Sequence, residues 1–232
     1  RELPKMTVLR DRSIWGLGIL NAGGFIFQYV GLTYTTATRT ALIVNSNVAV
    51  TALLSWKIHR EPMDSGKLLA LPLSVLGIFL LTTGGDLSTL YGGQTKGDLL
   101  EFLAGLVWSF FLVLNKSMVS REGSEVSQMV TWVMLVTAIG MAPFAIALGD
   151  IGRTTIPWEG WTVVAYTAVF CTILPYLLFS KAQRFVSATI SALVLLTEVV
   201  VAIISSAAIL GEQLLLGSAL GAILVCLSII LA

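Results

Sequence analysis

Apolar residues in this chain come in runs long enough to cross a bilayer, separated by short polar connections. A hydrocarbon core of about 30 Å needs about 20 helical residues. Eight segments meet that length: 14–34, 37–57, 66–84, 98–118, 127–148, 159–182, 187–210 and 214–232. Some connections, such as Tyr34 to Ala37 and Gly211 to Leu214, leave room for little more than a turn. Antiparallel helices permit that, because each closes its own backbone hydrogen bonds within lipid. Pro72, Pro143 and Pro175 fall within spans and predict interruptions or kinks there. The longest polar connection, GGDLSTLYGGQTKGD at 84–98, is glycine-rich and reads as a joint between two halves.

The pattern also repeats. Residues 28–68 align without a gap to 179–219, an offset of 151 positions. Ala37, Thr38, Ala41, Leu42, Val48, Ser55, Glu61 and Gly66 meet Ala188, Thr189, Ala192, Leu193, Val199, Ser206, Glu212 and Gly217. Helix, loop and next helix keep one register throughout. An internal repeat in a polytopic membrane chain marks a transporter built from two related halves. The repeat-related spans lie five apart, and an odd offset reverses direction, so the halves are expected to be inverted. The expected division is a first repeat at 1–84, an external joint at 85–97 and a second repeat at 98–232. The second repeat has five spans and the first has three. The expectation is therefore eight helices of a ten-helix, all-α integral membrane bundle, with two helices before residue 1.

Composition and charge sharpen this picture. The chain is 56% hydrophobic and 12% charged, with a mean hydropathy of +0.90; soluble proteins are about a quarter charged. With the N-terminus in the cytoplasm, Arg1, Lys5, Arg10, Arg12, Lys57, Arg60, Lys67, Lys116, Arg121, Lys181 and Arg184 lie inside. Arg39, Lys96 and Arg153 lie outside, a strong positive-inside bias that puts both chain ends in the cytoplasm. The net charge of +1 and the scattered basic residues point away from nucleic acid. Cys171 and Cys226 sit within apolar runs and read as small packing residues.

Polar side chains at membrane depth carry the functional reading. Glu198 is twelfth of twenty-four positions in its span, with no basic residue within two helical turns. An acid at the helix centre costs about 2.5–3.5 kcal/mol. Desolvation there suits a group that takes up and releases a proton, so Glu198 is the expected proton-coupling and substrate-binding residue; the other reading is a protonated packing residue. Asn47 aligns with Glu198 and reads either as a substrate hydrogen-bonding group or as interhelical glue, which is the preferred reading for Asn45. Trp108 is mid-span, away from the interface that Trp favours, and reads as a pocket wall or as core filler. Asn21 and Gln28, seven residues apart, share a helix face and suggest a cavity lining, and Tyr166 and Tyr176 are further aromatic candidates. Glu61 and Glu212 precede helix starts, where negative charge suits the macrodipole. Arg39 is placed to guard an external entrance. His59 is interfacial and reads as solvated.

The segments ALIVNSNVAVTALLSWKIHREP (41–62), ISALVLLTEVVVAIISSAAILGEQ (190–213) and GLVWSFFLVLNK (105–116) resemble the EamA-type transporters of the drug/metabolite transporter superfamily. The chain keeps Glu198 and the Gly211-Glu212 pair of that pattern. It has Val199 where the family typically has proline, and Asn47-Val48 at the equivalent place in the first repeat. The resemblance implies a ten-helix bundle of inverted five-helix repeats around a central cavity. It also implies secondary transport or export of small metabolites, amino acids or drug-like solutes across the cell membrane.

Alternating access with a small-molecule substrate, protons and the bilayer as partners is the leading expectation, for a monomer or homodimer without a cofactor. A flippase for a lipid or lipid-linked sugar is the alternative. An intramembrane enzyme needs paired catalytic groups at depth, and only one acid reads as deep here. A channel would show charged rings or a filter loop. No G-x-x-x-x-G-K-[ST] phosphate loop occurs in the sequence.

Overall fold

Each apolar run becomes a helix, because a helix alone satisfies every backbone donor and acceptor away from water. The computed structural model describes residues 11–91, 94–123, 125–147, 157–210 and 215–232. Among them the order is α1 (Arg12–Leu32), α2 (Ala37–Asn45), α3 (Asn47–His59), α4 (Ser65–Thr83), α5 (Thr95–Val119) and α6 (Val126–Ala147). Then follow α7 (Trp158–Tyr166), α8 (Leu174–Ala182), α9 (Ala188–Leu195), α10 (Thr197–Leu210) and α11 (Leu216–Leu231). There is no strand among the described residues. Among the described residues six spans are long and apolar enough to cross a membrane: Ala37–His59, Ser65–Thr83, Thr95–Val119, Val126–Ala147, Trp158–Ala182 and Ala188–Ile209. The other two of the eight expected spans are helical as well. Leu216–Leu231 is a shorter apolar helix, and Arg12–Leu32 has 21 residues but is diluted by Asn21 and Gln28. Gly211 and Glu212, the joint positions 92–93, and Arg153 lie outside the described residues.

Helix ends are set by local chemistry. Thr36, Asp64 and Ser187 stand as N-caps whose side chains accept from the backbone N–H of Arg39, Lys67 and Ile190. Arg60 closes α3 in the left-handed region at φ 52°, and Gly84 closes α4 at φ 65°. Pro72 and Pro143 stand inside α4 and α6, which run through them, so neither breaks its span as the sequence suggested. Near Pro175 the helix does change: α7 and α8 are joined by a wide π-helical segment, Thr167–Ile173, just before the proline. Cys171 and Cys226 carry exposed side chains, which corrects their reading as packing residues.

The residues cluster into two units, with α1 and α5 contributing to both. The first comprises the chain up to Ile26 with Leu114–Val186. Here small residues let helices approach: Gly140 of α6 meets Ala22 of α1, and Gly18 of α1 faces Val136. Lys116 Nζ donates to the carbonyls of Gln183 and Arg184 at 2.8 and 3.0 Å, while Arg184 Nε donates to the Val119 carbonyl at 3.0 Å. Each cation thus caps the C-terminal end of the other's helix.

The second unit comprises Phe27–Val113 with Ser187–Ala232. Its spine is the antiparallel pair α4 and α11. A Cβ added at Gly77 would lie 2.9 Å from the Val225 nitrogen, and one at Gly221 would strike the Leu81 nitrogen. At the two ends, Gly66 abuts the Leu231 carbonyl and Gly217 abuts the Gly84 carbonyl. Small residues bring the backbones this close, and Ser74 and Ser228 each donate to a carbonyl of their own helix at 2.7 Å, so neither of these two hydroxyls stays unpaired. The Gly217-x-x-x-Gly221 motif therefore serves packing within this unit.

Candidate functional site

The two spans that the sequence alignment pairs, Ala37–His59 and Ala188–Ile209, are both interrupted near mid-span, within one residue of the aligned place. Between α2 and α3 the Ala49 N–H reaches the Ser46 carbonyl at 3.3 Å, and between α9 and α10 the Val199 N–H reaches the Leu196 carbonyl at 3.2 Å. These are i→i+3 bonds, tighter than the α-helix, and such a stretch within a helix marks a hinge or strain. Each interruption starts a new half-helix. Asn47 is the first residue of α3 and Glu198 the second of α10, the equivalent positions in the repeat. Glu198 is exposed and Asn47 half-buried. Glu198 thus stands in the first turn of a half-helix, where the macrodipole favours negative charge.

Around Asn47 the packing is close. Gly105 of α5 leaves room, since a Cβ there would lie 3.5 Å from Asn47 Cβ, and Ser109 Oγ, four residues on, donates to the Asn47 carbonyl at 3.1 Å. Trp108 sits between them in sequence, half-buried, and meets Phe111 edge-on with ring centroids 5.6 Å apart. Gln28, on the part of α1 that belongs to this unit, is half-buried. Asn45 bonds the Ala41 carbonyl of its own helix at 2.7 Å, so it is a local bond and not glue between helices.

Asn21 and Tyr176 belong to the other unit. Asn21 is buried and its Nδ2 donates to Thr137 Oγ1 at 2.9 Å, a strap between α1 and α6. That use of the amide removes it from any open cavity lining. Tyr176 is half-buried on α8, and Tyr166 is exposed and stacked on Phe170.

Two charged clusters in the second unit were not legible in advance. At the α1–α2 turn, Arg39 forks onto Asp98 through Nε and Nη2 and donates from Nη1 to the Leu90 carbonyl. Thr35 Oγ1 joins Asp98 at 2.8 Å. Arg39 is thus tied down, not a free guard. One turn further along α5, Glu101 is fully buried, with Thr40 Oγ1 donating to Oε1 at 3.1 Å. Glu198 is therefore not the one deep acid.

At the α3–α4 turn, Glu61 pairs with Lys67 at 2.8 Å, both nearly buried. Ser55 and Thr189 donate to its Oε2 at 2.5 and 3.1 Å. Burial raises the Glu61 carboxyl, but hydrogen bonds from Lys67, Ser187 and Ser55, with the Lys67 charge, outweigh it and hold the group below the usual carboxylate range. Beyond its place before a helix start, Glu61 is a tie from the α3 end to the start of α9.

The sequence model of the EamA-like transporter family matches residues 2–83 and 95–232. The uncharacterized transporter YyaM of Bacillus subtilis is 29% identical over 93% of this chain and 71% of its own length. An uncharacterized transporter of Archaeoglobus fulgidus is 28% identical over 93% of this chain and 66% of its own. A WAT1-related protein of Arabidopsis thaliana is 25% identical over 87% of this chain and 67% of its own. A solved crystal structure superposes with a TM-score of 0.79 over 94% of this chain and 75% of that one, at 13% identity, a likeness of fold.

Proposed function

The chain belongs to the EamA-like transporter family, and on that premise we propose that it is a secondary transporter or exporter of small metabolites, amino acids or drug-like solutes across the cytoplasmic membrane. Transport runs by alternating access of two inverted repeats, 1–84 and 98–232, related by a pseudo-two-fold axis in the membrane plane. The observation that carries this reading is the paired interruption, at Ser46 and Leu196, in spans that the sequence alignment pairs. Bent or broken helices whose half-helix starts meet at the midplane are where transporters of inverted-repeat design bind solute. Asn47 and Glu198 begin those half-helices, Asn47 as a hydrogen-bonding group and Glu198 as an accessible carboxyl that binds solute and proton in turn. Trp108 and Gln28 supply nearby wall and polarity. Asn21 and Tyr176 are assigned a supporting place, since the Asn21 amide is committed to Thr137.

Counterflow in proteoliposomes holding the full chain tests this, with labelled amino acids as probes and with or without an imposed pH gradient. The gradient speeds wild type, and Glu198→Gln retains exchange but loses the acceleration. A variant that keeps the full gradient response removes Glu198 from coupling. A wild type that moves none of the probes but scrambles labelled lipid supports the flippase alternative instead.

A further inference from the structure

Glu101 is the buried acid that no ion pair explains. Its side chain is fully buried; Oε1 is met by Thr40, and Oε2 is buried without a partner. The last turn of α1 closes one side: a Cβ at Gly31 would stand 2.6 Å from Oε1 and 2.9 Å from Cδ, so that turn offers only its bare backbone. Among the described residues, the charged and titratable groups nearest along α5 and at the adjoining α1–α2 turn and α2 start are Asp98, Lys96, Arg39 and Tyr34. Arg39, the residue before Thr40, spends its fork on Asp98 and Leu90. Lys96 Nζ lies over the Tyr34 ring, 3.9 Å from its centroid. Asp98 adds a second negative charge one helical turn from Glu101, on the same face of α5. A carboxylate so placed is shut off from solvent and has no ion-pair partner among the described residues, which makes its ionised form strongly unfavourable.

We propose that Glu101 is a proton-binding carboxyl of the transport cycle, packed as the neutral acid against Thr40 and Gly31 and ionised when the Arg39–Asp98 end of this unit loosens. The proton leaves Glu101 for water, and the carboxylate left behind takes the Arg39 fork. Asp98 and Glu101 are three residues apart on one helix, so the guanidinium passes from one carboxylate to the other by a shift of about one turn, roughly 5 Å. Water then solvates Asp98, which lies nearer the helix end. Protonation of Glu101 thereby favours the closed arrangement, and its ionisation favours the loosened one. The coupling rests on the transport reading above; the protonation does not.

Infrared spectroscopy of the full chain in lipid tests it through the C=O stretch of a protonated carboxylic acid. At neutral pH wild type shows a band that Glu101→Gln lacks and Glu198→Gln keeps. Raising the pH removes the band, and Arg39→Gln, which takes away the replacement cation, delays that loss to higher pH. Absence of any Glu101-dependent band at neutral pH overturns the proposal. So does a band that persists at every pH at which the protein stays folded, since Glu101 is then a fixed packing acid. In the amino-acid counterflow assay, Glu101→Gln loses acceleration by the pH gradient, and an unchanged response overturns the coupling. Because the infrared band is read without solute, failure of every probe to move would count against the transport reading and not against protonation.

Discussion

At the scale of single residues, the buried pair Glu61–Lys67 decides more than its place in a turn suggests. Removing one partner from a buried ion pair strands the other's charge, which costs about 3–5 kcal/mol. Lys67→Met is therefore expected to lower the thermal midpoint in detergent sharply, while Lys67→Met with Glu61→Gln recovers much of the loss. A double variant no more stable than the single one would show that the charge was not the cause. The pH dependence follows from the depressed Glu61 carboxyl. Its stabilising contribution is complete above the unfolded glutamate value of about 4.3 and is lost as pH falls through the lower folded value. Thermal midpoints of wild type should thus fall on acidification below about 4.3 more steeply than those of Glu61→Gln, a difference read by melting the two across that range.

Among helices, the α4–α11 contact is where shape matters most. A side chain at Gly221 or Gly217 meets backbone atoms of the partner helix, which cannot swing aside. Gly16 differs, since its added Cβ would lie an ordinary 3.6 Å from the end of the Leu114 side chain. Gly221→Ala should destabilise by about 1–3 kcal/mol, the usual cost of overpacking, and Gly16→Ala should be near neutral or slightly stabilising, since alanine is the better helix former. Comparable melting of the two variants would sink this account. The elements themselves were legible in the sequence, because a hydrophobic run of about 20 residues has one outcome in lipid. The interruptions were half legible: the repeat aligned Asn47 with Glu198, but nothing in composition announced the i→i+3 bonds beside them. Glu101 is not legible in the sequence, because it lies near the start of its span, where an acid reads as interfacial. Its burial depends on Gly31 and Thr40, residues on other helices. In the sequence Lys67 reads only as one more cytoplasmic cation, because its partner Glu61 is a loop residue until the fold closes over both.

For the molecule as a whole, the direction of the helices is the property on which the inverted repeat stands or falls. The positive-inside pattern puts the connection after α4 outside and the connection after α5 in the cytoplasm. Thr89 and Ser120 are exposed in those two connections. Cysteines placed singly at Thr89 and at Ser120, with Cys171 and Cys226 replaced by serine, report the sidedness directly. A membrane-impermeant maleimide added to intact cells should label the Thr89→Cys protein, and should label Ser120→Cys only after the membrane is opened. Labelling of both from outside would mean that α5 does not cross, which removes the odd offset between repeat-related spans. The halves would then run parallel and not inverted, and Asn47 and Glu198 would no longer approach the midplane from opposite sides. Alternating access around that pair needs the inversion, so this labelling result tests the mechanism before any solute is known.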